Sequence, residues 1–549
     1  MKQEQARSKI GQPTSLRWLL VANVVALLAV AVFFRAWRLD HMPGVNGDEA
    51  WIGVQALRWL DGQSNVWLTP TGNPINVFHF LPQAFLHSLL PPSITLLRLP
   101  VLISGLLALV VNYLMCQRAF DRSVAVLSTV LLALLPINIA YSRFAWDASQ
   151  SVLFTLPVIY ASVLAVQRPR QRIRWLLIAG ACQLAAIVVH PTNVFVAPLP
   201  VLAAVIVFRR PLAVTLSAAR TGWRWRLMWL TVAVLPVGVA WLLWPWTQLA
   251  ARRVISPLHY GVFAANYLDL FSGTTVFRFI TGAQNAAGET STWLYRLAAA
   301  GLVLFAAAGL WRQGTERLEQ RLLLLGVGLS TLAFFLLAGP MAAAAGNERY
   351  AMCLIAPGAL LLALGLDWWC RQGAVTGRLV CLAAGWMLLV SFYANYFQFA
   401  EATGGQAQRT FRTGRIEPKW ATAIYLRAAA EDSHGVVAVT TEWWNYWPLA
   451  YLTYRDSAIR VVATAAGDAA FGESPALPHS VPYLDSPPDA MPSLHPLTGQ
   501  RVCFVEFAGS PRSAAIADRL DEQGIAVRAV QVPDWCQRPV LTVLWPVTD

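Results

Sequence analysis

At 549 residues with 56% apolar side chains and 24 Trp, and with a mean hydropathy of +0.49, the chain is too hydrophobic for a soluble protein and has the composition of a multispanning membrane protein. The net charge of +13 does not mark a nucleic-acid binder, because the cations form no single patch and fall in short, alternate connectors around 2–17, 118–122, 168–174, 209–226, 312–321 and 371–378. By the positive-inside rule these connectors face the cytoplasm, which puts the N-terminus inside and everything after about residue 399 outside.

Apolar runs long enough to cross a hydrocarbon core predict eleven spans, at 16–34, 94–115, 123–141, 148–167, 174–190, 192–208, 227–248, 293–311, 322–340, 350–370 and 379–398. The first lacks a small-residue cleavage site and reads as a retained span. The expected architecture is an α-helical polytopic membrane domain, 1–398, followed by a small extracytoplasmic α/β domain, 399–549.

After the first span comes an external loop, 35–93, containing RLDHMPGVNGDEAWIGVQALRWLDG. Asp48 and Glu49 stand side by side at the start of a predicted amphipathic helix. A capping box between Asn46 and Glu49 would account for Glu49 but leaves Asp48 without a structural task. An acidic pair beside lipid in a chain with only 13% charged residues is therefore the candidate chemical centre. Residues 76–90, NVFHFLPQAFLHSLL, are apolar but short and interrupted by proline; they predict an interfacial or re-entrant helix that carries His79.

Further along, YSRFAWDASQ places Arg143 and Asp147 in a tight external turn, either as a local ion pair or as groups facing the same side as Asp48. His190-Pro191-Thr192-Asn193 reads as a helix terminator. A second external loop, 249–292, carries Arg252, Arg253, His259, Tyr260, Arg278 and Glu289 and is longer than a connector requires. Before the tenth span, Glu348-Arg349-Tyr350 puts an arginine on the non-cytoplasmic side, where it calls for an anionic partner.

From residue 399 the periodicity changes to short buried strands, at 436–441, 458–464, 501–507, 525–532 and 540–545, alternating with helices. This predicts an α/β domain with a largely parallel sheet. Its two cysteines, Cys503 and Cys536, lie on the oxidising side by the span count and are expected to form a disulfide, the alternative being two buried thiols.

There is no phosphate-binding loop of the ATPase type, no dinucleotide fingerprint, no H-E-x-x-H and no D-x-D. Asp48, Glu49 and Asp147 instead share the outer side with Arg143, Arg252, Arg253, Arg278 and Arg349. A carboxylate can take a proton from an acceptor hydroxyl or amine, and guanidinium groups can hold a phosphate leaving group. With no nucleotide donors outside the membrane, a lipid-linked phosphate is the natural activated group.

Taken together, the first-loop motif, NPINVFHFLPQAF, YSRFAWDASQSVLFTLPVIYA, HPTNVFVAPLP and NERYAMCLIAP resemble membrane glycosyltransferases of the GT-C superfamily. The likeness is greatest to the protein O-mannosyltransferase and aminoarabinose transferase branch. It implies an inverting transfer of a sugar from a polyprenyl-phosphate carrier to a glycan, lipid or protein acceptor at the outer face of a bacterial inner membrane. It further implies Asp48 as base with Glu49 beside it, Asp147 with Arg143 at the next turn, and Arg349 with Tyr350 docking the phosphate. His79, Arg252, Arg253 and Arg278 complete the candidate substrate contacts. The resemblance implies no certain cofactor; some relatives carry a divalent metal in their external loops, for which this chain has no obvious ligand cluster, so metal dependence stays open. A transporter or flippase of lipid-linked sugars, or a non-catalytic membrane subunit, are the competing readings.

Overall fold

The computed structural model describes residues 14–63, 67–70, 73–218, 268–313, 317–343, 347–372, 375–463 and 500–547. Helix α1 (Thr14–Ala36) is followed by α2 (Gly47–Leu60) and α3 (Val77–Leu89), then by α4 (Ile94–Ala119), α5 (Arg122–Leu134) and α6 (Pro136–Tyr141). Next come α7 (Ser151–Gln167), α8 (Arg172–Val189), α9 (Pro198–Ala218), α10 (Ala283–Gln313), α11 (Leu318–Ala343), α12 (Ile355–Arg371) and α13 (Val375–Phe392). Seven helical segments among the described residues are long and apolar enough to cross a membrane, so the protein is multi-pass, but the expected count of eleven is not confirmed. The expected span 227–248 lies outside the described residues, as do Arg252, Arg253, His259 and Tyr260.

Several boundaries move for identifiable reasons. The expected span 123–141 is two helices, because Pro136 has no N–H to continue α5 and instead opens α6 at its first turn. The expected loop 249–292 is helical from Ala283 onward. Helix α3 has 13 residues, about 20 Å of rise, too little to cross.

The C-terminal segment contains α14 (Pro418–Glu431), β1 (Val436–Thr440), α15 (Trp443–Leu452), β2 (Ile459–Ala463), β3 (Arg501–Phe507), α16 (Pro511–Glu522), β4 (Ala526–Pro533) and β5 (Pro539–Val547). All five expected strands are present, in the order β2-β1-β3-β5-β4. The sheet is mixed, not largely parallel: β1 pairs in parallel with β2 and β3, whereas β5 pairs antiparallel with β3 and β4. Helices α14 and α15 cover one face through Leu426 and Leu449, and α16 covers the other through Leu520.

Cys503 and Cys536 are unpaired. Phe504, next to Cys503, pairs with Leu544, five residues along β5 from its start at Pro539, whereas Cys536 sits just before that start. That separates them by roughly 17 Å along the sheet, far beyond disulfide reach. Cys503 is buried, which pushes its thiol pKa up, and Cys536 is exposed.

The membrane helices share one large core, while a second core joins the first external loop to the C-terminal segment: Trp51, Ala50 and Leu57 of α2 and Phe80 of α3 pack with Trp447 and Tyr451 of α15. The connection to α14 reinforces this junction. Gly44 N donates to Phe411 O at 3.1 Å, Val45 N to Glu417 Oε1 at 3.1 Å, and Thr410 Oγ1 to Val45 O at 3.0 Å. A Cβ on Gly44 would lie 2.4 Å from Arg412 O and 2.6 Å from Thr410 O, so only glycine allows this approach.

Candidate functional site

Asn46 caps α2, accepting from Asp48 N at 2.8 Å, and Glu49 returns the bond to Asn46 N at 2.8 Å. The sequence therefore builds the capping box it spells, and the two acids diverge because adjacent helical positions point about 100° apart. Glu49 turns inward. It is fully buried and takes Arg98 Nε at 3.1 Å, Arg98 NH2 at 2.6 Å and Ala145 N at 3.1 Å in addition to the cap. With four donors around it, Glu49 is a structural carboxylate facing Arg98, and the expected catalytic use of Glu49 finds no support in this geometry.

Arg98 also donates to Leu39 O at 3.0 Å and Pro43 O at 2.9 Å. Arg143 does the same from the other side, donating to Phe34 O, to Met42 O at 2.8 Å and to Arg38 O at 3.3 Å. Two buried arginines thus pair with carbonyls spread along residues 34–44. Burial lowers the Arg143 pKa to about 10. Arg143, expected to touch substrate, instead holds the end of α1. Arg98 was missed by sequence reasoning, though an arginine inside an otherwise apolar span was the signal.

Asp48 faces a cavity of about 100 Å³. Its walls are Asn46, Phe144, Trp146, Phe279, Gln408, Trp444 and, with Asp48, the second charged group Arg349. The Arg349 guanidinium lies 4.4 Å from the Phe279 ring centroid, 5.1 Å from Trp146 and 5.3 Å from Tyr350. Its Nε has no hydrogen-bond partner among the described residues. Tyr350 stacks on His190 at 6.0 Å and meets Trp146 edge-on at 5.5 Å, so the tyrosine supports the cage from outside the cavity wall.

Asp48 has a partner that no local pattern announces: Trp443 Nε1 of α15 donates to Asp48 Oδ1 at 3.1 Å. Trp444 follows it into the cavity wall. Neither tryptophan could be assigned from its own neighbourhood, since each is one aromatic residue among 24 Trp and the contact spans 395 positions.

The remaining expected residues are dispersed. Asp147 opens the helical turn 147–150 beside Trp146, and its side chain lies outside the described residues. Arg278 donates to buried Asp269 at 3.3 Å, which Arg296 grips with two bonds of 2.7 Å. The neighbouring Phe279 is the residue of that pair that reaches the cavity. His79 is buried on α3 away from the cavity wall, and burial holds its pKa down at about 4. Among the described residues the cavity wall offers one carboxylate and two amides, and no group of three or more His, Cys, Asp or Glu gathers to hold a metal ion.

Residues 76–246 match the sequence model of a family described as dolichyl-phosphate-mannose-protein mannosyltransferase. The fold is similar to that of ArnT from Cupriavidus metallidurans in the apo state, with a TM-score of 0.52, 15% identity, and coverage of 97% of this chain and 98% of that one. The same protein bound to undecaprenyl phosphate matches with a TM-score of 0.51 and the same identity and coverage. A looser likeness, with a TM-score of 0.46, 13% identity, and coverage of 80% of this chain and 64% of that one, is to the archaeal oligosaccharyltransferase AglB from Archaeoglobus fulgidus in complex with an inhibitory peptide and a dolichol-phosphate. No curated protein sequence matches the chain.

Proposed function

We infer that the chain is a membrane glycosyltransferase of the GT-C superfamily and that it moves a sugar from a polyprenyl-phosphate carrier to an acceptor hydroxyl or amine. The observation that carries this reading is the placement of Asp48 and Arg349 on the wall of one aromatic-lined cavity. In the reaction, the acceptor oxygen or nitrogen bonds to the anomeric carbon while the bond from that carbon to the phosphate oxygen breaks. The acceptor proton passes to Asp48, and the released carrier phosphate stays with Arg349. Attack opposite to departure inverts the anomeric configuration.

Each role follows from chemistry. A carboxylate within reach of the acceptor is a competent base, and a guanidinium can pair two oxygens of a phosphate at once. The rings around Arg349 limit water, which strengthens the attraction to a phosphate. ArnT is known in complex with undecaprenyl phosphate, which supports a carrier of that class here. Positive connectors inside and the active loop outside fit transfer at the outer face of the bacterial inner membrane, with the N-terminus in the cytoplasm and the C-terminal segment outside. Glycan, lipid and protein acceptors would all present the same group to the base.

The test is sugar release from a synthetic polyprenyl-phosphate sugar by the purified protein in detergent. Wild type should transfer or hydrolyse the sugar, and Asp48→Asn should lose turnover by at least about a thousandfold at unchanged melting temperature. Asparagine remains acceptable in the first turn of a capped helix. Turnover by Asp48→Asn within a few-fold of wild type would reject the assignment, and an intact donor with the wild type would favour a transporter.

A further inference from the structure

We propose that Trp443 is a positioning residue for the base, its indole N–H fixing the orientation in which the Asp48 carboxylate meets the acceptor proton. This rests on the function proposed above. The bond from Trp443 Nε1 to Asp48 Oδ1 is 3.1 Å, and it joins a neutral donor to a carboxylate 395 positions earlier in the chain. A free Asp side chain at a helix start rotates among staggered wells; a directional donor on one oxygen selects a single well.

Three independent features aim the indole. First, Gly47 makes room for it: a Cβ there would lie 2.5 Å from Trp443 Cδ1 and 2.7 Å from Nε1. The Asn-Gly-Asp-Glu motif thus contains a glycine because a tryptophan from the far end of the chain sits against its backbone. Second, the ring packs edge-on against buried Trp447 at 5.3 Å, and Trp447 in turn meets Trp51 of α2 at 6.5 Å. Third, the turn before α15 is clamped on both sides. Thr441 N donates to Glu506 Oε1 at 2.8 Å, and Arg512 NH1 donates to Thr441 O at 2.8 Å. The hydrogen bond is therefore held by the second core and by the sheet, and the ring cannot swing away at little cost.

The geometry makes a kinetic distinction. Arg349 holds the phosphate whatever the rotamer of Asp48, so donor binding is insensitive to Trp443. The proton transfer depends on where the carboxylate points, so turnover is sensitive to it.

Trp443→Phe keeps an aromatic ring and deletes the N–H. We expect kcat to fall about tenfold, the change for one charge-assisted hydrogen bond, with donor KM within about twofold and melting temperature unchanged. Gly47→Ala attacks the same bond from the other partner by displacing the indole, and should give the same kcat loss. The double variant should lose little more than either single one, because both remove one contact. A wild-type kcat in folded Trp443→Phe, or a rise in KM with kcat unchanged, would overturn the proposal. Should Trp443→Phe not fold, a Gly47→Ala variant that folds with wild-type kcat would overturn it equally. Asp48→Asn separates the two claims: if it retains turnover the proposed function falls, whereas if it is inactive and Trp443→Phe is normal only the positioning role falls.

Discussion

Asp48 and Glu49 show how far apart two neighbouring carboxylates can be in role. Glu49 and Arg98 are both fully buried at 2.6 Å, so neither can lose its partner without leaving a bare charge in a medium that does not solvate it. Arg98→Met should destabilise the protein by roughly 3 to 5 kcal/mol, and Arg98→Met with Glu49→Gln by clearly less, both measured as thermal unfolding in detergent. Arg349 gives the contrasting case. Arg349→Lys keeps the charge but loses the paired donors, so donor KM should rise for Lys and rise further for Ala, with little change in melting temperature. Equal donor KM for wild type and Arg349→Ala would leave the phosphate to another cation. Sequence reading singled out Asp48 and Arg349 because each is a charge with no structural task in sight, and the structure sets both on one cavity wall. It misjudged Arg143 for the same reason: its task is to pair carbonyls of a loop 101 to 109 positions earlier, which no local pattern records.

Elements were legible where one period dominates. The five strands and most helices follow from alternation and apolar runs, whereas the break between α5 and α6 depends on how Pro136 is used, and the mixed sheet on how the chain returns after α16. Strand β3 carries a testable consequence of its pairing. Glu506 is buried against Thr441, and burial raises its pKa to about 7. The folded protein therefore binds this proton more tightly than the unfolded chain, so stability contributed by Glu506 is fully present below about pH 4.5 and is lost as pH rises through about 7. Glu506→Gln should remove that slope and stabilise the protein at about pH 8 by up to about 3 kcal/mol. His79 works in the opposite sense, since its depressed pKa favours folding as pH rises from about 4. The comparison must accordingly be the difference between variant and wild type across pH; equal slopes would show that Glu506 is ionised throughout. At Gly44, substitution by Ala should lower the melting temperature and activity together, because the strap through Phe411 loses its seat.

At the scale of the molecule, the second core packs the C-terminal segment against α2 and α3, so all three are expected on one side of the membrane. Exposed Cys536 reports that side directly. A membrane-impermeant thiol reagent should label Cys536 in cells whose outer barrier is permeabilised, and Cys503 only after unfolding, since it is buried in β3. Labelling of Cys536 only after lysis would invert the topology.

The bond between Asp48 and Trp443 also sets a clock. The ribosome exposes the first external loop when most of the protein is still unmade, and the tryptophan follows 395 positions later, after the last helix has been threaded. At roughly 5 to 20 residues per second, that is a delay of about 20 to 80 seconds during which the loop has its carboxylate but not the donor that aims it. Under the proposed function, a nascent or truncated chain would hold the base without the donor that aims it, and the pair would be complete only when synthesis is nearly finished. A molecule that lacks its last hundred or so residues cannot assemble the aromatic seat at Gly47, so under the proposed function that seat would act as a check on complete synthesis.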